Sequence, residues 1–244
     1  MKIIYALCLS GIVMCAFPVN AQTTDNQGPR GNVAGAIIDP NGVGLAGAAV
    51  RVHRVPLLSP GESRSKIASA EAHHSAESSS ESAGSYRLDG LPAGNYLLCV
   101  EKFSEPFLDP CKWSKAVSVS VGPGSRTVAD VRLTKGVFLR IHVKDPLGLL
   151  PPNSAPMGPP PIIGGVKFGT GAFLAADYTP APEGGDFVMA IPTGVRLQLW
   201  LFSRDVTLGD SQGHPVDTSI DNVSFIATPG SDMEFSVTVL SRVQ

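Results

Sequence analysis

Cys99 and Cys111 stand in the stretch YLLCVEKFSEPFLDPCKW (96–113). Two thiols at this spacing can oxidise to a bridge, ligate a soft metal, or supply a nucleophile. A metal site would want a CxxC or a nearby histidine, and a nucleophilic thiol would want a base; the stretch offers neither. Serines are abundant, but none lies in G-x-S-x-G. His142, in FLRIHVKD, reads as a satisfied or exposed strand histidine rather than a catalytic base. The acidic residues are scattered and define no carboxylate pair, and no glycine loop leads into a lysine and a helix. The residues therefore nominate no catalytic group, no metal ligand and no cofactor.

The compartment decides between the thiol chemistries. The N-terminus, MKIIYALCLSGIVMCAFPVNAQ, has one charge at Lys2, an apolar run from Ile3 to Phe17, a breaker at Pro18, and small residues at Val19 and Ala21. That is a secretory signal with cleavage expected after Ala21, and its apolar run is too short for a comfortable membrane span. Neither Cys8 nor Cys15 has the small residues in front of it that a lipoprotein signal needs. Cleavage of 21 from 244 residues leaves 223, and removes Cys8 and Cys15. In an exported chain the remaining pair, Cys99 and Cys111, most simply forms one disulfide. Lys2 leaves as well, so 19 basic residues become 18 against 21 acidic, and the net charge moves from −2 to −3. Neither sign is blocked, so the chain has no nucleic-acid footprint, and no later run is long enough to span a membrane.

Glycine and proline punctuate the mature chain, which favours strands over helices. Residues 22–31 form a polar leader. From Asn32, NVAGAIIDPNGVGLAGAAVRVHRV reads as strand, turn, strand: Val33, Gly35 and Ile37 share a face, Asp39-Pro40-Asn41-Gly42 turns, and Ala48, Val50 and Val52 alternate again. Residues 57–85 are rich in serine, alanine and charge, and read as a mobile excursion with a short helical turn over 66–74. Order returns with Tyr86 and Leu88, a turn at Leu91–Gly94, and Tyr96, Leu98 and Val100. Val117, Val119 and Val121 follow, with a returning strand near Val128–Leu133.

The second half echoes the first. VKDPLG (143–148) repeats IIDPNG (37–42), and IPTGVRLQL (191–199) repeats LPAGNYLLC (91–99), at offsets of 106 and 100. This organisation predicts two tandem antiparallel β-sandwiches of prealbumin or immunoglobulin-like type, at 32–135 and 136–244. A Pro-rich insert at 150–161 interrupts the second. Its strands are expected at Val166–Ala176, Phe187–Ile191, Val195–Phe202, Val223–Thr228 and Met233–Leu240, with Trp200 in core or inter-domain packing.

GAIIDPNGVGLAGAAVRV, followed by GSYRLDGLPAGNYLLCV, resembles the carboxypeptidase regulatory-like domain, a transthyretin-like sandwich of the carbohydrate-binding-like fold group, over residues 32–134. The resemblance implies fold more than activity, because such domains are mostly non-catalytic accessories. It draws attention to His74-x-x-Glu77, with His214 downstream, as a zinc-peptidase motif, but this motif sits in the serine-rich excursion and the chain has no room for a peptidase domain. His73 and His74 are expected to be solvated loop residues. Related surface domains also carry lysine–Asn/Asp isopeptide bonds promoted by a buried Glu. Glu101 occupies that Glu's place, yet Ile38 precedes Asp39 and the first strand has no lysine. In the second half Lys144 precedes Asp145, but Leu199-Trp200-Leu201 supplies no Glu.

The expectation is an exported, non-enzymatic binding or structural module of the envelope or extracellular space, periplasmic or secreted, with carbohydrate or an envelope protein as partner. Trp113, Phe103 and Phe107, in the loop bridged by Cys99–Cys111, are the candidate ligand-binding residues, sheet-edge cover being the competing role for Phe107 and Trp113.

Overall fold

A computed structural model describes residues 28–55, 75–81, 83–114, 116–150, 161–169, 171–181, 183–217, 219–220 and 223–243. The signal segment, the possible helical turn at 66–74, His73, His74 and most of the Pro-rich insert lie outside these residues.

The first half contains β1 (Gly31–Ile38), β2 (Ala49–Val55), β3 (Ser75–Ser79), β4 (Ser85–Leu91), β5 (Gly94–Glu101), β6 (Phe107–Leu108), helix α1 (Pro110–Trp113), β7 (Val117–Val121), β8 (Arg126–Val128), β9 (Val131–Arg132) and β10 (Thr134–Lys135). One sheet runs β4-β1-β8 with β9 also on β1; the other runs β3-β2-β5-β7. Period-two alternation puts Val33, Ile37, Val50, Val52, Tyr86, Leu88, Tyr96, Leu98, Val119 and Val121 between them, in one core. Removing that apolar surface from water is what holds the layers together.

The second half contains β11 (Val137–Lys144), β12 (Ile162–Phe168), β13 (Ala172–Ala175), β14 (Asp177–Ala181), β15 (Gly184–Ile191), β16 (Arg196–Ser203), β17 (Val206–Gly209), β18 (Pro215–Asp217), β19 (Ser219–Ile220), β20 (Ser224–Ile226) and β21 (Met233–Arg242). Its sheets run β14-β15-β11-β21-β17-β18 and β13-β12-β16-β19, with β20 also on β16. A second core, with Leu139, Ile141, Phe187, Ile191, Leu199 and Leu201, fills the space between them.

The internal echo is structural. In each half the opening strand, β1 or β11, pairs antiparallel with β4 or β15, and parallel with a closing strand, β8 or β21. The chain then turns into the other sheet, through β5 or β16. The two turns match: Gly42 donates to the Asp39 carbonyl and Gly148 to the Asp145 carbonyl, with φ of 87° and 62° that favour glycine.

Several local expectations are corrected. Ser75–Ser79 belongs to no excursion: it pairs with β2 along its length, and Ser85 opens β4. The returning strand near 128–133 is split into β8 and β9, because the Asp130 carboxylate replaces a strand acceptor and takes the Ala36 N–H at 2.8 Å. Val166–Ala176 is a hairpin rather than one strand, turned where Gly171 donates to the Phe168 carbonyl. Trp200 is not in the core. Leu199 and Leu201 take the inner face of β16, so Trp200 lies on the outer face against Phe173 and Phe202.

Candidate functional site

The loop between β5 and β7 is built by short-range chemistry. Asp109 caps α1, accepting the Cys111 N–H at 2.9 Å, and Pro110 supplies the preset φ of a first helical residue. This places Cys111 beside Cys99 with Cα atoms 5.3 Å apart, and the two are joined as a disulfide. Asp109 also receives the Val100 N–H at 3.4 Å. Burial pushes its carboxyl above the ordinary value, against the pull of the Cys111 N–H and the Lys112 charge.

The bridged loop is wedged at the junction of the halves. β6 pairs with β10, and only Gly136 separates β10 from β11. The Gly136 N–H donates to the Pro106 carbonyl at 2.7 Å, and a Cβ there would meet the Ile191 carbonyl oxygen at 2.2 Å, so no larger residue fits.

The three candidate aromatics take three different positions. Phe107 is buried in the first core at 5% exposure. Trp113 is half-buried and turned to the second half, its ring centroid 5.4 Å from that of Phe168. Phe103 is 59% exposed. All three nevertheless line one cavity of about 300 Å³, together with Phe138, Arg140, Asp177 and Val188 from the second half.

Charges meet at the rim of this cavity. Glu101 accepts from Lys112 at 2.9 Å and from Arg51 at 3.3 Å, and the Asp177 carboxyl lies near enough across the junction to feel its charge. Burial raises the Asp177 carboxyl above its ordinary value, and Glu101 adds to the effect while Lys112 and Arg51 oppose it. Burial works against the Lys112 ammonium, but the hydrogen bond and charge of Glu101 outweigh it and hold the pKa high. Glu101 is thus committed to ion pairs, and apolar rings stand beside paired donors and acceptors. Such a site can orient a small ligand by stacking and hydrogen bonds.

Other sequence candidates lie apart from the cavity lining. His142 Nδ1 and Asp186 Oδ1 are 2.8 Å apart, and His214 Nδ1 lies 3.2 Å from Asp210 Oδ2. Glu77 lies on β3 in register with Arg51. Among the described residues the grouping nearest to a metal site is Cys99, Asp109 and Cys111, but the bridge uses both sulfurs. Sequence reasoning did not nominate Lys112 or Asp177. Lys112 had a signal, since it lies between Cys111 and Trp113; Asp177 had none.

No family model and no curated protein matches the chain. Solved structures similar to it include the Bacillus anthracis TIE protein, with 12% identity over 87% of this chain and 34% of that one, at a TM-score of 0.33. A streptococcal ancillary pilin aligns with 14% identity over 89% and 64%, at 0.36. Catechol 1,2-dioxygenase from Pseudomonas arvilla aligns with 15% identity over 47% and 55%, at 0.31. The chain spans about a third of the first of these and less than two thirds of the second. Superpositions this loose, onto a pilin and a dioxygenase alike, carry no argument about function.

Proposed function

We propose that the chain is an exported, non-catalytic binding module: two β-sandwiches, the first of carboxypeptidase regulatory-like type, divided near Lys135, that hold a recognition cleft at their junction. The observation that carries this reading is the convergence of Phe103, Phe107 and Trp113 on one cavity beside the Glu101–Lys112–Asp177 cluster. Export is supported by the disulfide, which persists in oxidising compartments, and by the N-terminal signal pattern. Among the described residues no helix is long and apolar enough to cross a membrane. The ligand class is carbohydrate, since the exposed Phe103 ring and the half-buried Trp113 ring beside paired polar groups suit a sugar's apolar face and hydroxyl edge. An envelope protein is the alternative partner, favoured by the 59% exposure of Phe103.

The test is a pull-down of the mature protein, oxidised and reduced, against insoluble polysaccharides and envelope fractions. Saturable retention that weakens on reduction and in Phe103→Ala supports the cleft. Retention by neither, in either redox state, contradicts the binding reading.

A further inference from the structure

The outer face of the β13-β12-β16-β19 sheet, with β20, carries a chemistry that neither the fold nor the cleft requires. Trp200 stands on it with Phe173 at 4.6 Å and Phe202 at 5.9 Å between ring centroids, the latter pair nearly parallel at 18°. Ile163, Phe173 and Ile226 are 37%, 36% and 48% exposed there. Between Phe173 and Trp200 the floor is Gly165, in register with Trp200 and Ala175. A Cβ at Gly165 would meet the Leu174 carbonyl oxygen at 2.0 Å, so only glycine lets the β13 backbone, which carries Phe173, close up beside Trp200.

The charge of this face is one-sided. The five strands contain no Asp or Glu, but they present Lys167 and Arg196, in a chain whose formal net charge is −2. The Lys167 ammonium lies 4.9 Å from the Trp200 ring centroid, and neither cation has an ion-pair partner among the described residues. Lys167 is in register with Gln198, two residues from Arg196, which sets the two basic residues on a strand diagonal whose backbone positions are about 7–8 Å apart.

We propose that this face binds an acidic polysaccharide, with sugar rings stacked on Trp200 and Phe173 and uronate carboxylates paired with Lys167 and Arg196. Resting on the reading of the chain as a binding module, it adds a second surface and a ligand charge. Charge complementarity selects the occupant. A second copy of the same face would bring like charges together across a two-fold axis. Single-stranded nucleic acid also stacks on rings, but it is held by a basic groove along its backbone, and two cations do not make one.

Affinity electrophoresis of the full mature chain tests this, in gels containing polygalacturonate, its methyl ester, or single-stranded DNA. Retardation is expected in polygalacturonate, weakened about tenfold or more in Trp200→Ala, in the double variant Lys167→Gln/Arg196→Gln, and for the methyl ester. The double variant touches no core residue and should keep the wild-type melting temperature, so its loss reads binding rather than folding. Four results overturn the proposal: no retardation, retardation indifferent to these substitutions, equal retardation by the ester, or stronger retardation by DNA. Loss in Phe103→Ala with full binding by the double variant would place the ligand in the cleft, refuting the outer-face site while leaving the module reading intact.

Discussion

Trp113 of the disulfide helix and Phe168 at the end of β12 meet with ring centroids 5.4 Å apart, and through them the bridged loop of one sandwich rests on the core of the other. The bridge therefore does more than close a loop: it fixes the platform on which Trp113 reaches the second half. Trp113→Ala is expected to cost about 2 kcal/mol, below the ~3–5 kcal/mol of a fully buried aromatic because the ring is half-exposed. Urea unfolding checks the loss, and limited proteolysis near Gly136 should become faster.

Removing the bridge by Cys99→Ser with Cys111→Ser is expected to destabilise the protein by about 3 kcal/mol, the loop-closure entropy returned to the unfolded chain. A denaturation midpoint equal to that of the oxidised wild type would contradict this. Asp109→Ala should act on the same loop more weakly, by about 1–2 kcal/mol, through loss of the α1 cap.

The paired turns predict an asymmetry. Asp39 accepts the Asn41 and Val43 N–H groups at the surface, whereas Asp145 is 6% exposed and accepts those of Leu149 and Leu150 at 2.9 and 2.8 Å. Asp145→Ala strands two donors in part-buried surroundings and should cost about 2 kcal/mol or more. Asp39→Ala, whose donors can turn to water, should cost less. Chemical denaturation of the two variants side by side gives the order.

A pH dependence follows from Asp177. Its folded pKa is raised above the ordinary 3.8, burial being the largest cause, so in the pH window between the two values the folded state keeps a proton that the unfolded chain has released. The stability this contributes is fully present below pH 3.8 and is lost as pH rises through the folded value. Asp177→Asn should therefore raise the melting midpoint at pH 7, and the advantage should shrink as pH falls towards 3.8. An advantage that grows on acidification would contradict the assignment.

Local chemistry was legible in the sequence wherever a few neighbouring residues decide the outcome. The Asp-x-x-Gly turns, the turn at Leu91–Gly94 and the Cys99–Cys111 pairing are of this kind, although the strands that this second turn joins, β4 and β5, belong to different sheets rather than to a hairpin. β14 was not, because DYTPA is polar and holds Pro180, which an edge strand tolerates and a reading by alternation rejects. Trp200 was misplaced because RLQLWLFS carries large apolar residues on both faces, and only the burial of Leu197, Leu199 and Leu201 shows which face is inside. The contact of Glu101 with Asp177 joins residues far apart in the chain through the packing of two sandwiches, and no local pattern announces it.

The central claim is that the junction cleft recognises a ligand. Saturation binding of the oxidised mature protein to insoluble polysaccharides, wild type beside Phe103→Ala, tests it most directly, because Phe103 is exposed and its loss leaves both cores untouched. The account predicts saturable binding by the wild type, about tenfold weaker in the variant, with unchanged melting temperature. Equal binding by the two proteins, or no saturable binding by the wild type, would contradict it.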